Sequence, residues 1–192
     1  VLAGRVAGEL GNAIVAPVVA YVPEGRIGPP TAHMRFPGTI TVPEAIFERL
    51  LESAARSFKL HGFRDIVLLG DHGGYQKRLK AVADRLNREW AATPGRVHAI
   101  DEYYLATETT YPAALRSRGY RDAEIGTHAG LADTSLALAV DPRLVRADRL
   151  QSGLRQRLAG MATDVTGRPG DEDLHRDEAP GARVVSSSSK YA

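Results

Sequence analysis

The chain has 192 residues, a formal charge of +2, 43% hydrophobic and 25% charged residues, and no cysteine. That is enough chain for one sizeable core and too apolar for a disordered segment. Without thiols there is no disulfide framework, and any metal must sit on imidazole and carboxylate. Lys and Arg are scattered among Asp and Glu, which gives no footprint for nucleic acid or an anionic membrane surface, and no apolar run reaches spanning length.

Taken in order, VLAGRVAGEL has the composition of a helix, and NAIVAPVVAY (12–21) reads as a buried strand. A Gly- and Pro-rich loop, PEGRIGPPTAHMRFPGT, follows, and loops of that length inside compact domains are often functional. Thr41 with Glu44 three residues later reads as a capping box that opens a helix with Ile46, Phe47, Leu50, Leu51, Ala54 and Phe58 as its apolar face. Gly62 is placed to stop it in a left-handed conformation. Asp65–Leu69 reads as a second buried strand. Gln76 to about Trp90 reads as a helix with the stripe Leu79, Val82, Ala83, Leu86 and Trp90, and Arg96–Ile100 as a third strand. Beyond Tyr111 the pattern loosens into a short helix and turn, with a further helix near Asp133 and Thr134, and 160–192 reads as an irregular tail.

Strand, helix, strand, helix, strand at this spacing predicts right-handed βαβ units and a parallel sheet in a single domain. Ligands of such sheets bind beyond the carboxyl ends of the strands. Three polar clusters fall there: His33 with its loop, Asp71 with His72, and Asp101 with Glu102.

In LLGDHGGYQ (68–76) a strand ends in an acid, an imidazole and two glycines. His72 is therefore a candidate metal ligand, and Gly73 and Gly74 offer backbone clearance. The plain alternative is a βα turn with a polar loop histidine. Gly70, Gly73 and Gly74 match neither a dinucleotide fingerprint nor a P-loop. His128, Asp133 and Ser135 superficially suggest a hydrolase triad, but no nucleophile elbow is present, and His128 as general acid or base beside an activated water suits the inventory better. Asp133 alone could equally cap a helix. His33 is either a packing residue of its loop or a pocket residue. His61, at a helix end, and His98, within a strand, read as structural, and His175 sits in a charged stretch.

Four stretches, HMRFPGT (33–39), LLGDHGGYQ (68–76), GTHAGLADTS (126–135) and DVTGRPG (164–170), together resemble the creatininase (creatinine amidohydrolase) family in order and spacing. The resemblance implies an α/β fold, three-layer α/β/α with a mainly parallel sheet. It implies hydrolysis of a cyclic or formyl amide of a small-molecule substrate at a divalent metal, most often zinc, with manganese or iron in some members. It also implies a homo-oligomer, often a hexamer, and the protein is expected to be cytoplasmic.

The family's N-G-H-G-G-N carries its metal-ligand role onto His72, with Asp71 and Tyr75 standing where the family has asparagines. The family's H-A-G-x-x-E-T-S maps a functional histidine onto His128 and a metal-site carboxylate onto Asp133, one methylene shorter than the usual Glu. His33, Asp71, Gly73, Gly74 and Tyr75 are then expected to line the substrate pocket. The family's metal-binding segment, roughly E-x-H-G-x-H-L-P with a following Asp, would precede Val1, and a terminal helix would follow Ala192, so the chain is expected to be incomplete at both ends. The competing readings are a deformylase or peptidase acting on a biosynthetic intermediate, and a catalytically silent member that binds a small ligand or only assembles.

Overall fold

The apolar spacing of two helices decides where the core lies. A computed structural model describes residues 1–126 and 130–150 in full and 183–188 as backbone. In chain order the helices are α1 (Leu2–Leu10), α2 (Glu44–Leu60), α3 (Gln76–Glu89), α4 (Glu102–Leu105), α5 (Tyr111–Ser117), α6 (Asp122–Ile125) and α7 (Leu131–Val140). The strands are β1 (Ala13–Val15), β2 (Asp65–Gly70), β3 (Arg96–Ile100) and β4 (Arg183–Ser188). The strands form one all-parallel sheet in the order β1-β4-β2-β3, an α/β fold.

The described residues fall into two compact units. The first holds the sheet with α1, α2 and α3, spanning residues 2–104 together with β4. Helix α3 buries Leu79, Val82, Ala83 and Leu86, with Trp90 at its end, the stripe expected from the sequence. These pack with Phe47, Leu51 and Ala55 of α2 and with Ile66, Leu68 and Val97 of β2 and β3. Lys59 crowns the Trp90 ring at 4.2 Å, burying its stem while its ammonium donates to Thr93.

The second unit, drawn from residues 105–150, has its own small core of Leu115, Ile125, Leu131 and Ala132. Gly130 lets the end of α6 meet the start of α7, because a Cβ there would lie 2.3 Å from the Ile125 carbonyl. Ser135 is buried in α7, where its hydroxyl donates to the Leu131 carbonyl and pairs with the Tyr111 hydroxyl at 2.7 Å. It is tied into packing and does not stand as a free nucleophile.

Several expectations need correction. The strand read over 12–21 shrinks to Ala13–Val15, because Pro17 has no N–H for a ladder, and Ile14 and Val15 are exposed on the sheet's edge. β2 is not buried on both faces: Ile66, Leu68 and Gly70 alternate with half-buried Val67 and Leu69. Thr41 caps nothing; Pro43 precedes α2 with no side-chain cap. Ile46 and Leu50 are exposed while Ala55 is buried, so the core face of α2 is rotated from the one expected. Within the stretch read as an irregular tail, β-branched Val184 and Val185 lie in β4, between β1 and β2. Gly62 does take a positive φ of 89° after α2.

A row of charges joins α2 to α3 on the outside. Glu48 accepts from both Arg78 (3.3 Å) and Arg85 (2.9 Å), Arg85 also reaches Glu52, Arg78 reaches Glu44, and Arg56 grips Glu89 with both nitrogens. The hydrogen bond from Arg85 lowers the Glu48 carboxyl pKa against the opposing effect of burial, and Arg78 adds to it. A carboxyl depressed in the folded state contributes stability above its ordinary pKa and loses it as pH falls through the folded value. Glu48→Gln should therefore cost up to about 1 kcal/mol near neutral pH, and urea unfolding should show that difference vanish at acidic pH. Leu86→Ala, inside the core, should cost about 2–5 kcal/mol at either pH.

Candidate metal centre

β2 ends at Gly70, and the chain continues extended through His72 (φ −128°, ψ 128°) before a tight turn at Gly73–Tyr75 opens α3. Gln76 fastens this turn: its side-chain amide donates to the carbonyls of Gly70 (2.9 Å) and His72 (3.2 Å). The imidazole of His72 folds back over Gly74, where a Cβ would come within 2.6 Å of Nε2. The Tyr104 hydroxyl occupies the corresponding space over Gly73, 2.5 Å from where a Cβ would stand. The two glycines thus give room to side chains of the protein itself. Tyr75 is a core residue that also borders the site: it is 1% exposed, its ring centroid lies 5.4 Å from those of Phe47 and His72, and its hydroxyl donates to Asp71 at 3.3 Å.

Facing this turn is the loop between β1 and α2. Its base closes where the Val42 N–H donates to the Val22 carbonyl. Thr41, freed from capping, accepts from the Glu24 N–H at 2.9 Å and donates to the Gly25 carbonyl at 3.2 Å. Gly25 takes φ 125°, and a Cβ there would lie 2.3 Å from the Thr31 carbonyl, so this position tolerates only glycine. Thr31 and Arg26 bond to each other in both directions, and Ala32 sits at φ 47°, a left-handed conformation uncommon for a residue with a Cβ, directly before His33.

The loop brings Glu24 and His33 to His72. One carboxylate oxygen, Oε2 of Glu24, lies 2.5 Å from Nδ1 of His33 and 3.6 Å from Nε2 of His72, and the two imidazole centroids are 5.0 Å apart. All three ligand-capable atoms lie within 4.8 Å of one another. Glu24 and His72 are about as sheltered as each other, at 12% and 13% side-chain exposure, while His33 at 37% is the member that solvent reaches. Two imidazoles and one carboxylate are a donor set suited to zinc and to neighbouring divalent ions, and three protein ligands leave a position open.

Of the residues expected at a site, the structure joins His33 and His72 and places Asp71 behind them through Tyr75. Asp101 follows β3 and Glu102 opens α4, both with exposed side chains, and neither takes part in the cluster. Asp133 lies in the first turn of α7, in the other unit, and His128 is outside the described residues. His61 stands at the C-terminal end of α2, and His98 pairs with Asp65 across β2 and β3. Glu24 was not foreseen: no helical or strand period links it to His33 or His72, and the only signal was the length and composition of the loop that holds it.

Gly74→Ala should force the His72 ring away from Glu24. A metal titration should show affinity reduced about 10- to 100-fold, the range for losing an outer support of a ligand, with the unfolding midpoint of the metal-free protein little changed.

The sequence profile of the creatininase family, described as creatinine amidohydrolase, matches residues 1–187. Neither a curated protein nor a solved structure matches the chain. A profile that runs through β1, α2, β2, α3 and β3 and includes the histidine at the end of β2 leaves one assignment: the chain belongs to the creatininase family of amidohydrolases.

Proposed function

We propose that this protein is a metal-dependent hydrolase that cleaves a cyclic or formyl amide of a small molecule, with zinc as its ion and manganese or iron as alternatives for the same donors. The observation that carries the reading is the imidazole of His72, set at the carboxyl end of β2 with a sheltered carboxylate and a second imidazole against it. A divalent ion in such a set polarises a carbonyl and brings the pKa of water toward neutrality.

The protein's own part is positioning and proton management. Gln76 and Gly74 fix the turn and ring of His72, and the Tyr75 ring closes off the site from below. Water adds to the amide carbonyl carbon, the C–N bond breaks, and the nitrogen must leave with a proton. His128 is the residue we assign to carry that proton, with Asp133 as a further carboxylate; both roles rest on the family motif. Loops 22–39 and 101–125 shape the choice of substrate. Assembly as a homo-oligomer, as a hexamer in the family's usual manner, belongs to the same reading.

The test is turnover by metal-loaded protein on creatinine and on formylated amines. Ring opening or deformylation should be detected, and His72→Ala should lower it by more than about 100-fold, beyond the effect of losing an outer support alone. Absence of turnover on both classes with a stoichiometric ion bound would overturn the hydrolase reading in favour of a silent ligand-binding member.

A further inference from the structure

We propose that Glu24, His33 and His72 are protein ligands of one divalent-ion site, and that ion binding there clamps loop 22–42 onto the end of β2. This rests on the metal part of the function proposed above and specifies its ligands. The family motifs give a ligand role to His72 and to the position of Asp133, and none to Glu24 or His33.

The distances carry the argument. Glu24 and His33 at 2.5 Å form a hydrogen bond that would by itself explain those two residues. It does not explain why Nε2 of His72 points at the same carboxylate oxygen from 3.6 Å. That separation is too long for a hydrogen bond. It is close to the ~3.4 Å that separates two ligand atoms around a tetrahedral zinc with bonds of about 2.1 Å. Of the three pairs, one already stands at ligand–ligand spacing, a second needs to open by under about 1 Å to admit an ion, and the third, between the two imidazoles, lies within 4.8 Å.

The surroundings are built for holding the three groups. Thr41 fixes the backbone on both sides of the Glu24–Gly25 peptide, Gly25 makes the turn that no other residue could make, and Gln76 fixes the turn that carries His72. Burying a carboxylate to 12% exposure is costly unless it is paired, and a cation held among the carboxylate and the two imidazoles would supply that pairing.

The consequence for the loop follows from chain topology. Glu24 and His33 sit nine positions apart in the loop, whereas His72 belongs to the βα turn after β2. An ion shared by all three ties the loop to the sheet, so binding the ion and ordering the loop become one event.

The test uses the full chain, stripped with chelator and titrated with Co²⁺ and Zn²⁺. Binding is read from cobalt absorption and from competition with a chromophoric chelator, and loop order from hydrogen exchange of residues 22–42. The parent should take up one ion, with slowed exchange in the loop. Glu24→Gln, His33→Ala and His72→Ala should each weaken binding by about 100-fold or more, beyond the loss of an outer support, and abolish the loop protection, while Glu48→Gln, in the charge row between α2 and α3, keeps both. Glu24→Asp, which retains the charge with shorter reach, should also weaken binding; it serves if Glu24→Gln does not fold.

If Glu24→Gln and His33→Ala bind as the parent does while His72→Ala and Asp133→Asn do not, this ligand set is wrong and the metal hydrolase survives. An ion bound at the three residues with no change in loop exchange overturns the clamp. A parent that takes up no ion overturns both the site and the metal-dependent function.

Discussion

The Tyr75 ring lies over Gly70 at the end of β2, in space that a single Cβ would close, since that atom would stand 2.5 Å from the ring. On one side it packs against Phe47 of the core, on the other against His72, and its hydroxyl reaches Asp71. The apolar core thus continues into the candidate centre through one side chain. An aromatic residue with a polar tip can do this because its body is indifferent to which face meets oil and which meets an imidazole. The glycines of the motif then have a plain physical purpose. Gly70 admits Tyr75, Gly74 admits His72 and Gly73 admits Tyr104, so each missing Cβ is replaced by a ring or hydroxyl from the protein.

The centre is sheltered and polar; the charge row between α2 and α3 sets a carboxylate almost as sheltered, Glu48 at 16% exposure, against arginines that stay open to water. Glu48 and its two arginines exchange one solvation for another and gain little. Glu24 has given up most of its water and faces imidazoles held by a fixed backbone. The same residue type in the same unit serves as a helix tie in one place and as a candidate ligand in the other, and the difference lies in the loop that carries it.

How much of this was legible in the sequence depended on whether a period was involved. The stripe of α3 and the positions of β2 and β3 follow from spacing, and His72 at the end of β2 follows from them, because a strand that ends in D-H-G-G aims its histidine beyond the sheet. Where period gave way to tertiary context, reading failed. Thr41 and Glu44 have the spacing of a capping box, but the loop claims the threonine hydroxyl first. Ile46 and Leu50 fit a helical face as well as Ala55 does, and only the place of α3 decides between them. Glu24 could not be found, because it meets His72 across 48 residues of sequence through a loop without repeat. β4 escaped because its pairing partners lie far from it along the chain.

That last pairing has a consequence for how the protein is made. β4 is inserted between β1 and β2, so one of the sheet's two inner positions is filled by residue 183 and those after it, 118 positions beyond the start of β2 at Asp65. When residues 1–104 have left the ribosome, both β1 and β2 still lack the neighbour that joins them. At about 5–20 residues per second, the 79 residues from 104 to 183 take roughly 4–16 s to arrive. For that interval the nascent chain carries two open strand edges, the template on which chains pair wrongly with one another. Synthesis speed and chaperone cover over this stretch should therefore govern the yield of folded protein more than the stability of the finished core does.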